Sequence, residues 1–511
     1  MTASSTWKPR PLPAATLKSR DDRAETMSQD EDLCDLSAVE LRRRIAGKHL
    51  SPVELLEACH RRIDAVNPAV NAVVAEDREA ALAAARAAEQ AVMRGDALGA
   101  LHGLPVGIKD LNETAGLVTT FGSPLYAEHL PQRDDAFVAK VRGAGAVIAA
   151  KTNTPEFGAG ANTTNAVYGT TGNPFLPART CGGSSGGSAV ALATSMLPLA
   201  AGSDLGGSLR TPAAYCGVVG MRPTPGVVAT ARKEMAWSPL WTEGPMARSV
   251  ADLALFLEGI AGGDPRDPLS GLAEGSAFAG LQPRELKGLR FAVSEDLGFA
   301  PVSSQVRDLF RDRVARMSAL VDCVPADPPM DDAAADANRC FEVLRAVGFL
   351  GKDRQRVEEQ PDKVGPNVTA NVKLGLTFSA VDVAVAEAAQ TRLYHRFLDF
   401  MDGYDALVCP VASVQPFDKT ELFPREIDGR PLPTYISWIA ITYGLTLVGH
   451  PVLVLPCGLD GEGLPFGLQI VGRRGGDAEL LRLGLALEEA FSGSEVLRRP
   501  LPDLSALAAA S

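Results

Sequence analysis

Two glycine- and serine-rich loops constrain the fold of this chain more than any other stretch. The first loop covers residues 182–188 and contains Ser184 and Ser185, and the second covers residues 203–210 and contains Ser208. Glycine loses more conformational freedom on folding than other residues, so it weakens both helices and strands. Two such loops therefore indicate a site at which the backbone must come close to a reacting group.

Composition disfavours several classes of protein. The 511 residues carry a net charge of −12, which disfavours nucleic acids and anionic membranes as partners because both require basic surfaces. The chain is 46% hydrophobic, yet no apolar run is long enough to span a bilayer. The eight cysteines show neither Cys-x-x-Cys spacing nor a zinc-finger histidine, so we expect no metal, no cofactor, reduced thiols and a cytoplasmic location.

Local patterns predict an α/β fold. An apolar strand over 104–110 is followed by a helix over 136–143 and a strand over 147–151, and this alternation is typical of a large mixed sheet covered by helices. We predict a disordered tail over 1–30 and a single domain over 31–500. The predicted parts of this domain are N-terminal helices (31–100), a catalytic core (101–330), a helical and irregular substrate-facing cap (330–440) and a return to the core (441–495).

Two interpretations of the loops lack part of their expected pattern. A phosphate cradle needs a Gly-Lys-Ser/Thr or Gly-x-Gly-x-x-Gly pattern, and neither loop provides one. Residues 183–187 fit the Gly-x-Ser-x-Gly elbow of esterases with Ser185 as nucleophile, but the proline-containing segment 173–177 stands where a strand should precede it. An esterase also needs a histidine; His395 and His450 are available, and the apolar surroundings of His450 are typical of a core residue.

A third interpretation is a serine hydrolase that uses a lysine as its base. Lys109 ends the apolar strand, where burial lowers the pKa of an amine and keeps it neutral; an exposed loop position is the alternative. A second serine that relays the proton to this lysine explains why two loops are present. The backbone N–H groups that follow the second loop's aspartate form an oxyanion hole in this interpretation, and they belong to Leu205, Gly206, Gly207 and Ser208.

Both loops closely resemble those of the amidase signature family. The resemblance covers about residues 31–495, and its most specific stretches are 182–188, 202–210 and 212–220. It implies an α/β/α amidase-signature fold. It also implies Ser208 as the acylated nucleophile, Ser184 as the relay serine on a cis peptide bond after Gly183, and Lys109 as the base.

The same resemblance implies roles for three supporting side chains, and one stretch of the sequence differs from a subgroup of the family. Ser185 is expected to support Lys109, while Asp204 and Arg210 are expected to hold the second loop, either as a plain structural ion pair or with a direct part in catalysis. Residues 241–245, Trp-Thr-Glu-Gly-Pro, differ from the Leu-Asp-Gln-Ile-Gly-Pro of the glutamine-dependent amidotransferase subunits in the family. This difference disfavours the amidotransferase role.

The sequence thus predicts an amidase that cleaves a small carboxamide or anilide through a seryl acyl-enzyme, with ester and carbamate substrates left open. The alternatives are an amidotransferase subunit, an esterase and a non-catalytic binding protein on the same fold. The expected partner is a small-molecule amide, and a homodimer is left open. Aromatic residues that either line an apolar substrate pocket or pack in the core are Trp237, Trp241, Phe341, Tyr435 and Trp438.

Overall fold

Eleven strands form one mixed sheet in the centre of the computed structural model. The structure describes residues 32–231, 234–330 and 336–510, and the predicted tail over 1–30 lies outside these ranges. The strands, including two short pairs outside the central sheet, are in chain order β1 (Val73–Ala75), β2 (Pro105–Lys109), β3 (Val147–Thr152), β4 (Thr164–Asn165), β5 (Gly169–Thr170), β6 (Leu199–Asp204), β7 (Val219–Arg222), β8 (Thr242–Ala247), β9 (Arg290–Val293), β10 (Asp322–Pro325), β11 (Ala406–Pro410), β12 (Glu426–Ile427), β13 (Arg430–Pro431), β14 (Val452–Leu459) and β15 (Pro465–Val471).

The strand order of the central sheet is β1-β3-β2-β6-β8-β7-β14-β15-β11-β9-β10. Strand β2 is parallel to both of its neighbours, β3 and β6, whereas β6 and β8 are antiparallel. Strands β14 and β15 form the antiparallel hairpin that returns the chain to the core. The large mixed sheet predicted from the sequence is confirmed.

Helices cover this sheet, and their bounds follow capping signals in the sequence. Ser37 accepts a hydrogen bond at the start of the first helix, and Ser51 forms a capping box at the start of the second. None of the helices in the described ranges is long and apolar enough to cross a membrane. The α-helices are α1 (Ala38–Ala46), α2 (Pro52–Val70), α3 (Arg78–Arg94), α4 (Ala136–Gly143), α5 (Gly186–Ala193), α6 (Arg210–Cys216), α7 (Val250–Ile260), α8 (Ser304–Met317), α9 (Ala337–Glu359), α10 (Pro366–Gly375), α11 (Ala380–Met401), α12 (Ala440–Val448), α13 (Asp477–Ser492) and α14 (Leu504–Ala509).

Both faces of the sheet are buried. Successive residues of a strand point to opposite faces, and in β6 Leu199 and Ala201 belong to one apolar cluster while Ala200 belongs to the other. The first cluster includes side chains of α7, and the second includes those of α5. Each fully buried aliphatic side chain of this kind contributes about 1.5–3 kcal/mol to stability. This layered packing fixes the strand ends from which the functional residues emerge.

The predicted cap range contains helices, as expected, and also one strand of the central sheet. Residues 337–401 are mostly helical, because α9, α10 and α11 fill most of this range. Strand β11 lies inside the predicted cap range but belongs to the central sheet, where it pairs with β9 and β15. Its five residues are all buried, so this short apolar run is core and not cap. A smaller difference is that β1, within the predicted N-terminal helices, joins the sheet by pairing with β3.

Candidate active site

Lys109 reaches the site from the carboxyl end of β2. All five residues of this strand are buried, and Val106 and Ile108 face the first apolar cluster. The alternation of side chains therefore sends Lys109 to the opposite face, where α5 begins. A buried strand end, and not an exposed loop, is the observed position.

Three serine hydroxyls surround the lysine amine. The Nζ atom of Lys109 lies 2.7 Å from the Oγ of Ser184, 2.9 Å from that of Ser185 and 3.0 Å from that of Ser203. The first two serines precede α5, and the peptide bond between Gly183 and Ser184 is cis. Ser203 belongs to β6, the strand next to β2, and its part in the cluster was not predicted. No local pattern in the sequence identifies it, because the contact is made by side chains at the ends of two neighbouring strands.

Burial governs the charge of this lysine. Lys109 has no exposed surface, and burial lowers its pKa to about 7, although the carboxylates of Glu243 and Asp204 act in the opposite direction. A neutral amine accepts a proton from a neighbouring hydroxyl, whereas an ammonium group cannot. The cluster therefore contains an amine that is partly neutral near neutral pH.

The second loop bends around the carboxylate of Asp204. This carboxylate accepts hydrogen bonds from the backbone N–H of Gly207 at 2.9 Å and of Leu209 at 3.1 Å. Gly207 has a φ of +128°, and an added Cβ would lie 2.5 Å from the Oγ1 of Thr442, so only glycine fits here.

The observed bend changes one predicted role. The N–H of Gly207 was expected to point at a substrate oxygen, but it already donates to Asp204. Among the described residues, no acceptor is found for the N–H groups of the other three predicted donors, Leu205, Gly206 and Ser208. Three backbone donors, and not four, are therefore available around Ser208.

Asp204 is held by a buried arginine pair. Arg210 donates to its two carboxylate oxygens, at 2.9 Å and 3.0 Å, and Arg222 contacts it at 3.4 Å. The two arginines keep the pKa of Asp204 well below its usual range despite burial. Arg222 was not predicted, and its position in a buried strand gives no local signal. These contacts assign Asp204 and Arg210 to the shape of the loop.

Arg210 also ties the loop to distant parts of the chain. Its guanidinium donates to the backbone oxygen of Thr442 at 2.7 Å and to the Oγ1 of Thr446 at 2.8 Å, both in α12. It donates as well to the Oε1 of Gln469 in β15 at 3.0 Å. All of these groups are buried, so the bonds are shielded from water.

A cavity of about 390 Å³ opens above the serine cluster. Ser184, Ser203 and Ser208 all contribute to its wall, together with Leu205, Gly206 and Gly207 of the second loop. The helical part of the cap and the segment after β11 supply much of the opposite wall, with Leu344, Arg345, Phe349, Lys352, Phe423 and Ile439. The site is thus a cavity between the sheet and the cap that is open to solvent on one side.

Three of the five predicted aromatic residues line this cavity. Trp241, Tyr435 and Trp438 are in its wall. Trp237 is 78% exposed and does not line the cavity, so this prediction is wrong. Phe341 is fully buried; it stacks on Tyr443 and packs beneath Gly206 without lining the cavity, so it is a core residue.

A group of buried acidic and amide side chains forms another part of the wall. The Oε1 of Glu243 accepts hydrogen bonds from the Nε1 of Trp241 at 3.1 Å and from the Nδ2 of Asn112 at 3.3 Å. Asn112 also donates to Asp135 at 3.0 Å. Burial raises the pKa of Glu243. Sequence reasoning missed Asn112 and Asp135 and treated Glu243 only as a departure from a family pattern.

The histidine considered for the esterase interpretation lies in the core, away from Ser185. The Nδ1 of His450 bonds to the backbone oxygen of Gly472, and its ring packs edge-on against Phe397. Burial lowers the pKa of His450 to about 4, so the ring is neutral and serves the core. Cys181 and Cys216 are both buried and free of disulfides, as expected for packing residues.

Comparison with known proteins finds amidases and related amidotransferase subunits over most of the chain. The Amidase family model matches residues 54–481. The acylamidase of Rhodococcus erythropolis is 35% identical over 464 residues, which cover 90% of this chain and 96% of that protein. A glutamyl-tRNA(Gln) amidotransferase subunit from Chloroflexus aurantiacus is 36% identical over 484 residues, covering 89% and 97%. The solved structure of a bacterial aryl acylamidase of the amidase signature enzymes matches with a TM-score of 0.82 at 26% identity, covering 89% and 96%.

Proposed function

The chain belongs to the amidase signature family and is an amide hydrolase, and we propose that Ser208, Ser184 and Lys109 carry out its reaction. The observation that supports this assignment most directly is the contact of 2.7 Å between the amine of Lys109 and the hydroxyl of Ser184. The lysine is buried and the cavity above it contains Ser208, so a base, a relay and a nucleophile border one chamber.

The proposed reaction begins with neutral Lys109. The lysine takes the proton of Ser184, Ser184 takes the proton of Ser208, and the Oγ of Ser208 forms a bond to the substrate carbonyl carbon. The proton then returns through Ser184 to the leaving nitrogen as the C–N bond breaks, which releases the amine and leaves an acyl ester on Ser208. Water then gives a proton to Lys109 through Ser184 and bonds to the carbonyl carbon of this ester. The proton returns to the Oγ of Ser208 as the acyl C–O bond breaks, which releases the carboxylic acid.

The developing oxyanion requires hydrogen-bond donors near Ser208. We assign this role to the backbone N–H groups of Leu205, Gly206 and Ser208, which border the cavity. The N–H of Gly207 instead holds the bend through Asp204. Ser185 supports the base, since its hydroxyl lies 2.9 Å from the amine of Lys109.

The substrate class follows from the chamber. A cavity of about 390 Å³ with aromatic walls fits a small carboxamide or anilide, and an ester or carbamate would react through the same steps. We propose that residues 330–440 select the substrate, because side chains such as Phe349 and Tyr435 face the cavity from this segment. Exchange of α9 to α11 for the matching helices of a related amidase should change substrate preference while Ser208 stays reactive.

A second candidate function is that of an amidotransferase subunit that passes ammonia to a partner. Sequence identity does not decide between the two, because it is 35% to the acylamidase and 36% to the amidotransferase subunit. We favour a self-sufficient hydrolase because Trp241 and Glu243 line the cavity at positions where this chain departs from the amidotransferase pattern. A cytoplasmic location stays a prediction. Whether it works as a homodimer stays a prediction.

A covalent probe tests the assignment. A fluorophosphonate should label Ser208, detected by peptide mass spectrometry, and Ser208→Ala should abolish both labelling and hydrolysis of a panel of anilides by the isolated chain. Ser184→Ala should still be labelled, but more slowly, because only proton transfer is impaired. Labelling at Ser185 in an active Ser208→Ala variant would refute the mechanism. A lone chain that hydrolyses glutamine but no anilide would favour the amidotransferase candidate.

A further inference from the structure

Glu243 stands beside the catalytic cluster on the strand next to Ser203. The register of β6 and β8 pairs Ser203 directly with Glu243, so both side chains leave the sheet on the same face. The hydroxyl of Ser203 in turn lies 3.0 Å from the amine of Lys109. The three residues therefore belong to adjacent strands, β2, β6 and β8, with Ser203 on the middle one.

One oxygen of Glu243 is left without a bond. Its Oε1 accepts from Trp241 and Asn112, whereas Oε2 is buried and has no hydrogen-bond partner in the described residues. The residue is only 5% exposed and contributes to the wall of the cavity. A carboxyl group buried in this way is costly unless a positive charge compensates it.

The other charges around Lys109 already have partners. Asp204 from β6 is bonded to Arg210 and Arg222, and Asp110, which follows Lys109, lies 3.8 Å from Lys151 of β3. Asp135, at the start of α4, bonds to the backbone of Val138 and to Asn112. Among the described residues, neither Glu243 nor Lys109 forms a salt bridge. They are two buried charged groups with Ser203 between them on the middle strand.

We propose that Glu243 is a positioning residue that stabilises the cationic form of Lys109 when this lysine has taken the proton of Ser184. This inference rests on the proposed function, because it assumes that Lys109 is the base. Protonation of a buried amine would otherwise build up an uncompensated charge next to the reacting serines. Coulombic attraction between Glu243 and Lys109, which opposes the effect of burial on both of their pKa values, supports this view.

The proposal predicts the direction in which Glu243→Gln shifts the pH dependence of kcat/KM. Removal of the carboxylate removes a group that favours the ammonium form, so Lys109 loses its proton at lower pH. The acidic limb of the kcat/KM profile should shift down by about one pH unit. The plateau at high pH should also fall, by about threefold to tenfold, because a less basic amine is a weaker proton acceptor.

Two further variants separate charge from structure. Glu243→Asp keeps the charge and should return the midpoint of the acidic limb close to that of the unchanged protein. Glu113→Gln is the matched control, since Glu113 also borders the cavity but its carboxylate bonds to His129 at 3.0 Å. It makes the same chemical change and should leave the midpoint unaltered. If Glu243→Gln fails to fold, Glu243→Met, which introduces no amide needing partners, should show the same downward shift.

The outcomes distinguish this inference from the proposed function. Folded Glu243→Gln with an unchanged midpoint and plateau overturns the role of Glu243, provided that the probe still labels Ser208. An equal shift in Glu113→Gln also overturns it, because the effect would then be nonspecific. Failure of the probe to label Ser208 in the unchanged protein refutes the proposed function instead, whatever the pH profiles show.

Discussion

Lys109 and Lys151 are buried at the carboxyl ends of adjacent parallel strands, yet their surroundings differ. The register pairs Ile108 with Lys151 and Lys109 with Thr152, so the two amines leave the sheet on opposite faces. Lys151 donates to the backbone oxygen of Asn112 and to two threonine hydroxyls, and it lies 3.8 Å from the carboxylate of Asp110. Lys109 has three serine hydroxyls instead.

This comparison shows that burial alone does not make a base. Burial lowers the pKa of both lysines, to about 7 for Lys109 and about 8 for Lys151. The difference lies in what each amine touches. Lys151 has an ion-pair partner and a backbone carbonyl, which suit a structural cation, whereas the hydroxyls around Lys109 can both give and accept protons. We therefore expect replacement of Lys109 to reduce activity and replacement of Lys151 to reduce stability.

The largest expected effect is on activity, in Lys109→Met. The variant loses the proposed base, so kcat should fall by about a thousandfold or more. The fold should persist, because Lys109 forms no salt bridge among the described residues and Glu243, whose pKa is raised by burial, can take up a proton when the cation is removed. Steady-state kinetics and a thermal melt test this prediction. If the folded variant keeps a kcat within tenfold of that of the unchanged protein, Lys109 is not the base and its assigned difference from Lys151 is wrong.

The next effect is on stability, in Lys151→Met. Loss of the cation leaves Asp110 buried and unbalanced, so the free energy of unfolding should fall by about 3 kcal/mol. Activity per folded molecule should change little. Urea denaturation measures the loss, and the double variant Asp110→Asn, Lys151→Met should recover part of it if the two groups are coupled. Loss of turnover without loss of stability would contradict the assigned role.

The smallest effect is expected in Asp110→Asn. The carboxylate of this residue acts on Lys151, and burial has already raised its pKa, so the neutral amide is a modest change. The pH midpoint of kcat/KM should therefore stay where it is, unlike the shift expected for Glu243→Gln. A downward shift of similar size in Asp110→Asn would show that the pKa of Lys109 responds to Asp110 as well as to Glu243. The proposed difference between the surroundings of Lys109 and Lys151 would then be wrong.

The sequence predicted those features that local patterns encode. The helix over 136–143 has its observed bounds, and the strand that delivers Lys109 was placed within one residue at each end. Ser184 and Ser208 were found because glycine-rich loops are costly and form a recognisable pattern. Both border the observed cavity.

The features that escaped prediction depend on contacts between distant segments. Glu243 and Ser203 are brought together by the register of β6 and β8, and Arg222 contacts Asp204 from a strand two positions away in the sheet. The sequence around each residue gives no indication of either pairing. Trp237 and Phe341 were misplaced because an aromatic side chain gives no indication of whether it faces solvent, core or cavity. The donor of Gly207 was misassigned because its bond to Asp204 depends on the detailed bend of the loop.

The bonds of Arg210 also have a consequence for the order in which the protein is completed on the ribosome. This side chain holds the loop of Ser208 through partners more than 230 residues later in the chain, in α12 and β15. A nascent chain that has emerged only as far as α8 contains Lys109 and the two serines proposed to be catalytic, but none of these distant partners. We therefore expect the loop of Ser208 to reach its final shape, and the polypeptide to become active, only when α12 and β15 have been made and folded.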